Sequence, residues 1–300
     1  MTHATSSSSC STERTLRLGL IGGNITETRS PVLHMACGLA IGRNATYDLI
    51  IPKERGLSFA QTLAQCAELG FDGVNVTFPY KEEALRLVAP GTPVVAAMGS
   101  TNAVKFTAQG PRAFNTDHSG FVAAYRNRFG AQAPGRVLVL GTGGVGRAVA
   151  FGLADLGASE IVLLDTDLSK AVSLGGAIMT YCGAKVIAGD PSMLRDLSGF
   201  DGVVNCTPLG MVGKPPASPL PEDAAGHIGW AFDAVYTPLH TPFRAQVERM
   251  GARFLSGYEL YFHQGVDAFE IFSERKVEDA DWVRALITHS PDTPPRRAVG

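Results

Sequence analysis

One segment constrains this chain more than any other: RVLVLGTGGVGRAVAFGLADLGASEIVLLD, residues 136–165. A short apolar run, RVLVL, ends at Gly141, and Gly143 and Gly146 complete a GxGxxG spacing. The residues that follow are apolar at helical spacing, and the next apolar run, IVLLD, ends at Asp165. Each glycine has a mechanical use. The first permits a tight turn, the second lets a ligand approach backbone N–H groups, and the third lets the helix lie close to the strand. The unpaired N–H groups at the helix start favour a pyrophosphate, and Gly144 and Val145 lie in that first turn. Strand, turn, helix, strand and terminal acid at these offsets form a dinucleotide-binding fingerprint, where the glycines alone would signal only a turn. Asp165 is placed to accept from ribose hydroxyls and to repel a 2′-phosphate. The next residues, Thr166 to Lys170, include no arginine, so the pattern favours NAD over NADP. Asp167 reads as a helix cap.

A chain of 300 residues has room for a second domain beside this unit. A hydrophobic fraction of 45% with 18% charged residues describes a globular enzyme rather than a disordered chain. The net charge of −2 and the lack of a basic stripe exclude nucleic acid and anionic membrane as natural partners. No apolar run reaches the ~18 residues of a membrane span. The N-terminal MTHATSSSSCSTER has no apolar core of the kind a secretory signal needs. Cys10, Cys37, Cys66, Cys182 and Cys206 have no metal-ligand spacing and read as buried, reduced thiols of a cytoplasmic protein. The spacing of His34, His118, His240 and His263 suggests no metal, so these read as surface or supporting residues, and no metal site is expected.

Apolar runs and helical patterns alternate along the chain. Strands are expected at 16–22, 46–51, 73–78 and 101–106, with helices at 56–70, 81–89 and 118–129 and one beginning at Pro31. After QAPG, residues 132–135, a second series of strands begins at Arg136, 161, 185, 201, 229 and 252. The final amphipathic helix, from Tyr258, is placed to pack back on the first half. This is an α/β chain of two domains, a mixed β/α substrate domain and a Rossmann-type domain. The expected limits are 16–118 plus 258–290 for the first and 119–257 for the second, with flexible tails at 1–15 and 291–300.

Five segments outside the fingerprint name a family. TETRSPVLH (26–34), GVNVTFPYK (73–81), STNAV (100–104), NTDHSG (115–120) and FHQGVDAFE (262–270) resemble, in order and spacing, the shikimate/quinate dehydrogenase family. The resemblance runs from about Leu18 to Phe272. It implies reversible oxidation of the 3-hydroxyl of shikimate or quinate to a ketone by a nicotinamide dinucleotide. With Asp165, it leans toward an NAD-dependent member. The implied substrate is a small carboxylated cyclic alcohol, and a homodimer is compatible with it. Thr28 and Ser30 match the hydroxyl pair that holds the substrate carboxylate. Ser30 also reads as the cap of the helix begun by Pro31. Lys81 and Asp117 match the catalytic pair. Alone, the lysine would read as a solvated side chain and NTD as a turn or cap. A base must take the hydroxyl proton as hydride leaves, and a partly buried lysine oriented by a carboxylate suits that task. Asn75, Thr77, Asn102 and Gln264 match positions facing the ring hydroxyls, and amides offer such hydroxyls both donor and acceptor. Tyr236 matches a tyrosine near the substrate carboxylate. Thr207 and Met211, in NCTPLGM, match the loop beside the nicotinamide ribose, and Gly257 joins them on the cofactor side. The alternatives are an aminoshikimate-type or other hydroxy-acid dehydrogenase, or a non-catalytic dinucleotide-binding regulator. The last has no need of Lys81 and Asp117.

Overall fold

The computed structural model describes residues 14–25 and 28–289, so Thr26, Glu27 and most of both expected tails lie outside the described residues. Strands β1 (Leu16–Ile21), β2 (Ala45–Ile50), β3 (Gly73–Val76), β4 (Ala89–Pro90), β5 (Ala103–Lys105) and β6 (Arg112–Phe114) form one sheet, ordered β2-β1-β3-β5-β6-β4. β5 runs antiparallel to β3 and β6, which makes the sheet mixed. The side chains of β1 divide between two cores. Leu16 and Leu18 meet Leu33 and Cys37 of α1 (Ser30–Ala40). Ile21 meets Phe59, Leu63 and Cys66 of α2 (Phe59–Glu68). Covered on both faces, β1 is apolar and buried except at Arg17. Helices α3 (Lys81–Leu87) and α4 (Pro93–Met98) lead from the sheet toward the second half.

Helix α5 (Thr116–Phe129) carries the chain across. Its residues Phe121, Ala124, Tyr125 and Phe129 are buried against Trp230 and Phe232 of the second sheet. The expected limit at 118/119 therefore falls inside a continuous helix. The second sheet holds β7 (Arg136–Leu140), β8 (Glu160–Leu164), β9 (Val186–Ala188), β10 (Gly202–Asn205), β11 (Trp230–Asp233) and β12 (Arg253–Ser256). All its strands pair in parallel, in the order β12-β11-β10-β7-β8-β9. That is the doubly wound Rossmann order, with its switch point between β7 and β10. Helices α6 (Gly144–Asp155) and α7 (Leu168–Cys182) cover one face, and α8 (Pro242–Arg249) covers the other. Leu138, Val139 and Val162 are fully buried, and each such side chain contributes about 1.5–3 kcal/mol.

Helix α9 (Gly257–Ser273) returns to the first sheet, and α10 (Ala280–His289) packs beside it. The Phe272 ring occupies the space a Cβ at Gly73 would need, 2.2 Å away, so α9 lies directly on β3.

Three expectations are corrected. Ser30 does not cap α1: Arg29 holds the cap position without a side-chain bond, and Ser30 is the first helical residue. Its N–H is taken instead by the Thr28 hydroxyl, at 3.2 Å. Cys182 ends α7 exposed, while Cys37 and Cys66 are buried and Cys206 is half-buried. Of the two readings of His34, surface or supporting, the first does not hold: it is buried in the core between α1, β2 and α9. Among the described residues no helix is long and apolar enough to cross a membrane, and no group of three or more His, Cys, Asp or Glu side chains is placed to hold a metal ion.

Candidate active site

The glycine turn stands at the C-terminal edge of the second sheet, at its switch point. Gly141 has φ +90°, a conformation other residues rarely adopt. A Cβ on Gly146 would lie 1.9 Å from the Gly141 carbonyl oxygen, so only glycine lets α6 sit this close to β7. A Cβ on Gly143 would meet nothing within 4 Å, and no side chain caps α6. Open backbone at a helix N-terminus fits a dinucleotide pyrophosphate. Val145, in the same turn, packs inward against the core beneath. Asp165 follows β8. Its Oδ2 accepts from the Thr142 N–H at 2.8 Å and the Thr142 hydroxyl at 2.7 Å, and its Oδ1 accepts from the Asp167 N–H at 3.0 Å. Burial opposes its charge, yet these bonds hold the carboxyl below the usual range. Asp167 caps α7 through the Ser169 N–H, as read from sequence.

Across the switch point, Asn205 Oδ1 accepts from the Thr207 N–H and hydroxyl, at 2.9 and 2.7 Å. Asn205 Nδ2 donates to Asp233, which also accepts from Val235 N–H and the Thr241 hydroxyl. Burial pushes the Asp233 carboxyl up to about 6 despite these donors. Met211 lies exposed in the loop beyond. Gly257 starts α9 so close to β11 that a Cβ would sit 2.4 Å from the Ala234 carbonyl oxygen.

Lys81 opens α3 and Asp117 lies in the first turn of α5. The chain brings them together, with Lys81 Nζ donating to Asp117 Oδ2 at 2.5 Å. The side chains are 16% and 8% exposed, so the pair is sheltered but reachable. The Lys81 carbonyl accepts from Thr101 N–H, and Asn115 Nδ2 bonds the Ser100 carbonyl, which fixes both helix starts to one loop. A Cβ on Gly144 would lie 3.5 Å from the Lys81 Cδ, so the lysine lies against the dinucleotide turn. Cys206 follows β10, and its thiol is pushed up by burial and then by the charges of Asp233 and Asp117.

Beside this pair the first sheet carries a run of polar side chains. Thr28 Oγ1 donates to Ser30 Oγ at 3.0 Å, and burial raises the pKa of the Tyr47 phenol. The phenol donates to Asn75 Oδ1 at 2.9 Å, and Asn75 Nδ2 reaches the Asn102 carbonyl at 3.3 Å. Asn102 Oδ1 accepts from the Thr116 N–H at 2.7 Å, and the Thr116 hydroxyl lies 3.4 Å from Gln264 Oε1. Gln264 Nε2 donates to the Tyr261 carbonyl at 3.0 Å. Thr77 lies at the far end of β3, its methyl pressed on Gly22. Tyr236 stacks on Tyr261 with ring centres 5.2 Å apart, and burial raises its hydroxyl's pKa. Sequence reasoning passed over Tyr47 and Thr116, and read His34 only as a surface or supporting residue.

Comparison with known proteins fits this geometry. The sequence model of the shikimate dehydrogenase substrate binding domain matches residues 20–104. A shikimate dehydrogenase (NADP(+)) of Moorella thermoacetica is 34% identical over 90% of this chain and 92% of its own length. A quinate/shikimate dehydrogenase (NAD(+)) of Corynebacterium efficiens is 34% identical over 85% of this chain and 92% of its own. The structure of quinate dehydrogenase from Corynebacterium glutamicum in complex with NAD superposes with a TM-score of 0.85 at 32% identity, covering 91% of this chain and 99% of that one. At 34% identity to such enzymes over 90% and 85% of its length, this chain belongs to the shikimate/quinate dehydrogenase family.

Proposed function

We propose that this protein is an NAD-dependent dehydrogenase that reversibly oxidises the 3-hydroxyl of shikimate, quinate or both. The observation that carries the reading is the Lys81–Asp117 pair held against Gly144 of the dinucleotide turn. We assign the first unit and the return of α9 and α10 to the substrate, and the second sheet to the dinucleotide.

Thr28 and Ser30 present hydroxyls to the carboxylate ahead of the α1 N-terminus, whose dipole favours an anion. Asn102 and Gln264, with Thr77, meet the ring hydroxyls, Asn75 supports Asn102 from behind, and Tyr236 closes the carboxylate side. Gly141, Gly143, Gly144, Val145 and Gly146 cradle the pyrophosphate, Asp165 takes the ribose hydroxyls, and Thr207, Met211 and Gly257 border the nicotinamide. The bound nicotinamide supplies the hydride acceptor. As the carbon–hydrogen bond gives up its electron pair, the hydroxyl proton passes to the Lys81–Asp117 pair. In reduction the pair returns that proton to the ketone oxygen.

The preference for NAD rests on Asp165, whose carboxylate would repel a 2′-phosphate. Named relatives include both NAD- and NADP-dependent enzymes. The deciding experiment is an initial-rate panel of shikimate, quinate and aminoshikimate, each with NAD and NADP. The reading expects turnover of shikimate or quinate, with NAD favoured by at least about tenfold in kcat/KM. No turnover of any of the three would overturn the substrate assignment, and an NADP preference would overturn the role of Asp165.

A further inference from the structure

We propose that Arg147 is a positioning residue that holds the dinucleotide turn in alignment with the Lys81–Asp117 pair, acting through the loop between α4 and β5. The proposal rests on the reading of function above. Arg147 lies near the start of α6, its N–H bonded to the Gly143 carbonyl at 2.8 Å. Its guanidinium reaches out of the second unit, and Nη1 donates to the Met98 carbonyl at 3.0 Å. Met98 ends α4, where the last carbonyls lack partners within the helix, and Gly99 turns the chain away at φ +69°.

The loop that Arg147 reaches is where the parts of the site meet. The Ser100 carbonyl accepts from Asn115 Nδ2 at 3.0 Å, and Asn115 caps α5 just before Asp117. The Thr101 N–H donates to the Lys81 carbonyl at 3.0 Å, at the start of α3. Asn102 Oδ1 accepts from the Thr116 N–H at 2.7 Å. Arg147 thus bonds the loop from the second unit, while Gly144 of the same helix lies against the Lys81 stem. Both helix starts and the dinucleotide turn are thereby referred to one stretch of backbone. His118, next to Asp117, bonds Asp155 at the far end of α6 at 2.9 Å, so α6 stays attached to α5 when Arg147 is replaced. The groups assigned to the ring acid sit on one side of the Arg147 bond, and the glycines assigned to the pyrophosphate on the other. Breaking it therefore disturbs alignment and leaves each ligand its own contacts.

The test is single-turnover hydride transfer at saturating cofactor, per NADH-titrated site, with the ring acid found active in the panel. Arg147→Met keeps the stem without its donors, Arg147→Gln keeps a donor on a stem too short to reach Met98, and Arg147→Lys returns one donor. The first two are expected to slow hydride transfer about tenfold to a hundredfold, because a misplacement of ~1 Å can cost about 10² in rate. The KM for the ring acid and the Kd for NADH should stay within about threefold. Arg147→Lys should recover the rate to within about fivefold of wild type. Lost stability alone would leave the rate per occupied site unchanged. A rate within about twofold of wild type in Arg147→Met, or in Arg147→Gln if the first does not fold, would overturn the proposal. Weaker NADH binding at an unchanged rate would also overturn it, by making Arg147 a phosphate contact. A second readout needs no substrate. Bound NAD should shield Lys81 from acetylation by acetic anhydride, read by mass spectrometry, and should shield it several-fold less in Arg147→Met. Equal shielding in both proteins would overturn the proposal. A wild type inactive on every ring acid, with shielding lost in the variant, would defeat only the substrate reading.

Discussion

The Lys81 side chain lies across Gly144, so that a methyl group on that glycine would touch the lysine Cδ at 3.5 Å. This contact joins a residue of the first sheet's unit to the turn of the second. On the proposed reading, this contact keeps the ammonium next to the bound dinucleotide. A single Cβ is in ordinary contact there, whereas a branched side chain intrudes. Gly144→Ala should therefore keep hydride transfer within about threefold, and Gly144→Val should slow it at least about tenfold. Single-turnover rates at saturating cofactor measure this directly.

Gly146 permits no such margin. With 1.9 Å between its missing Cβ and the Gly141 carbonyl oxygen, Gly146→Ala must push α6 off β7. Dinucleotide affinity is expected to fall at least about tenfold, and overpacking should cost roughly 1–3 kcal/mol of stability. Fluorescence titration with NADH and thermal unfolding check the two halves separately.

Cofactor choice should respond to Asp165. Asp165→Asn keeps an acceptor for Thr142 but removes the charge that repels a 2′-phosphate. The ratio of kcat/KM for NAD over NADP should drop at least about tenfold, mostly through gain with NADP. A ratio that stays constant would assign discrimination to another residue.

Much of this was legible in sequence because the signals were of the right length. The second sheet's strands are buried on both faces, so RVLVL and IVLL read as continuous apolar runs. β4 has two residues, β6 three and α4 six, too few for any period to register. The fixed order of family motifs found Lys81 and Asp117, whose contact joins positions 36 apart in the chain. The Tyr47–Asn75 bond escaped because it comes from register across β1, which no local pattern encodes. The Ser30 cap failed because a neighbouring threonine hydroxyl took the N–H that defines the helix start.

His34 gives the stability a pH dependence. Burial pushes its imidazole down to about 3, well below the value of 6.5 expected in the unfolded chain. Below pH 6.5 the unfolded state takes up a proton that the folded state refuses, so stability is full above that pH and is lost as pH falls toward 3. The slope is up to about 1.4 kcal/mol per pH unit. His34→Phe, which keeps a ring against Tyr47 and Phe269, should lack this component. Urea unfolding of both proteins at pH 5, 6 and 7 would show the difference. Parallel curves would mean that His34 titrates normally.

The most direct measurement pairs turnover with cofactor binding in Lys81→Met and Asp117→Asn. If the pair moves the hydroxyl proton, kcat falls by about 10²–10⁴ in each variant while the Kd for NADH stays within about threefold. Turnover within a few-fold of wild type, in either variant, would contradict the account.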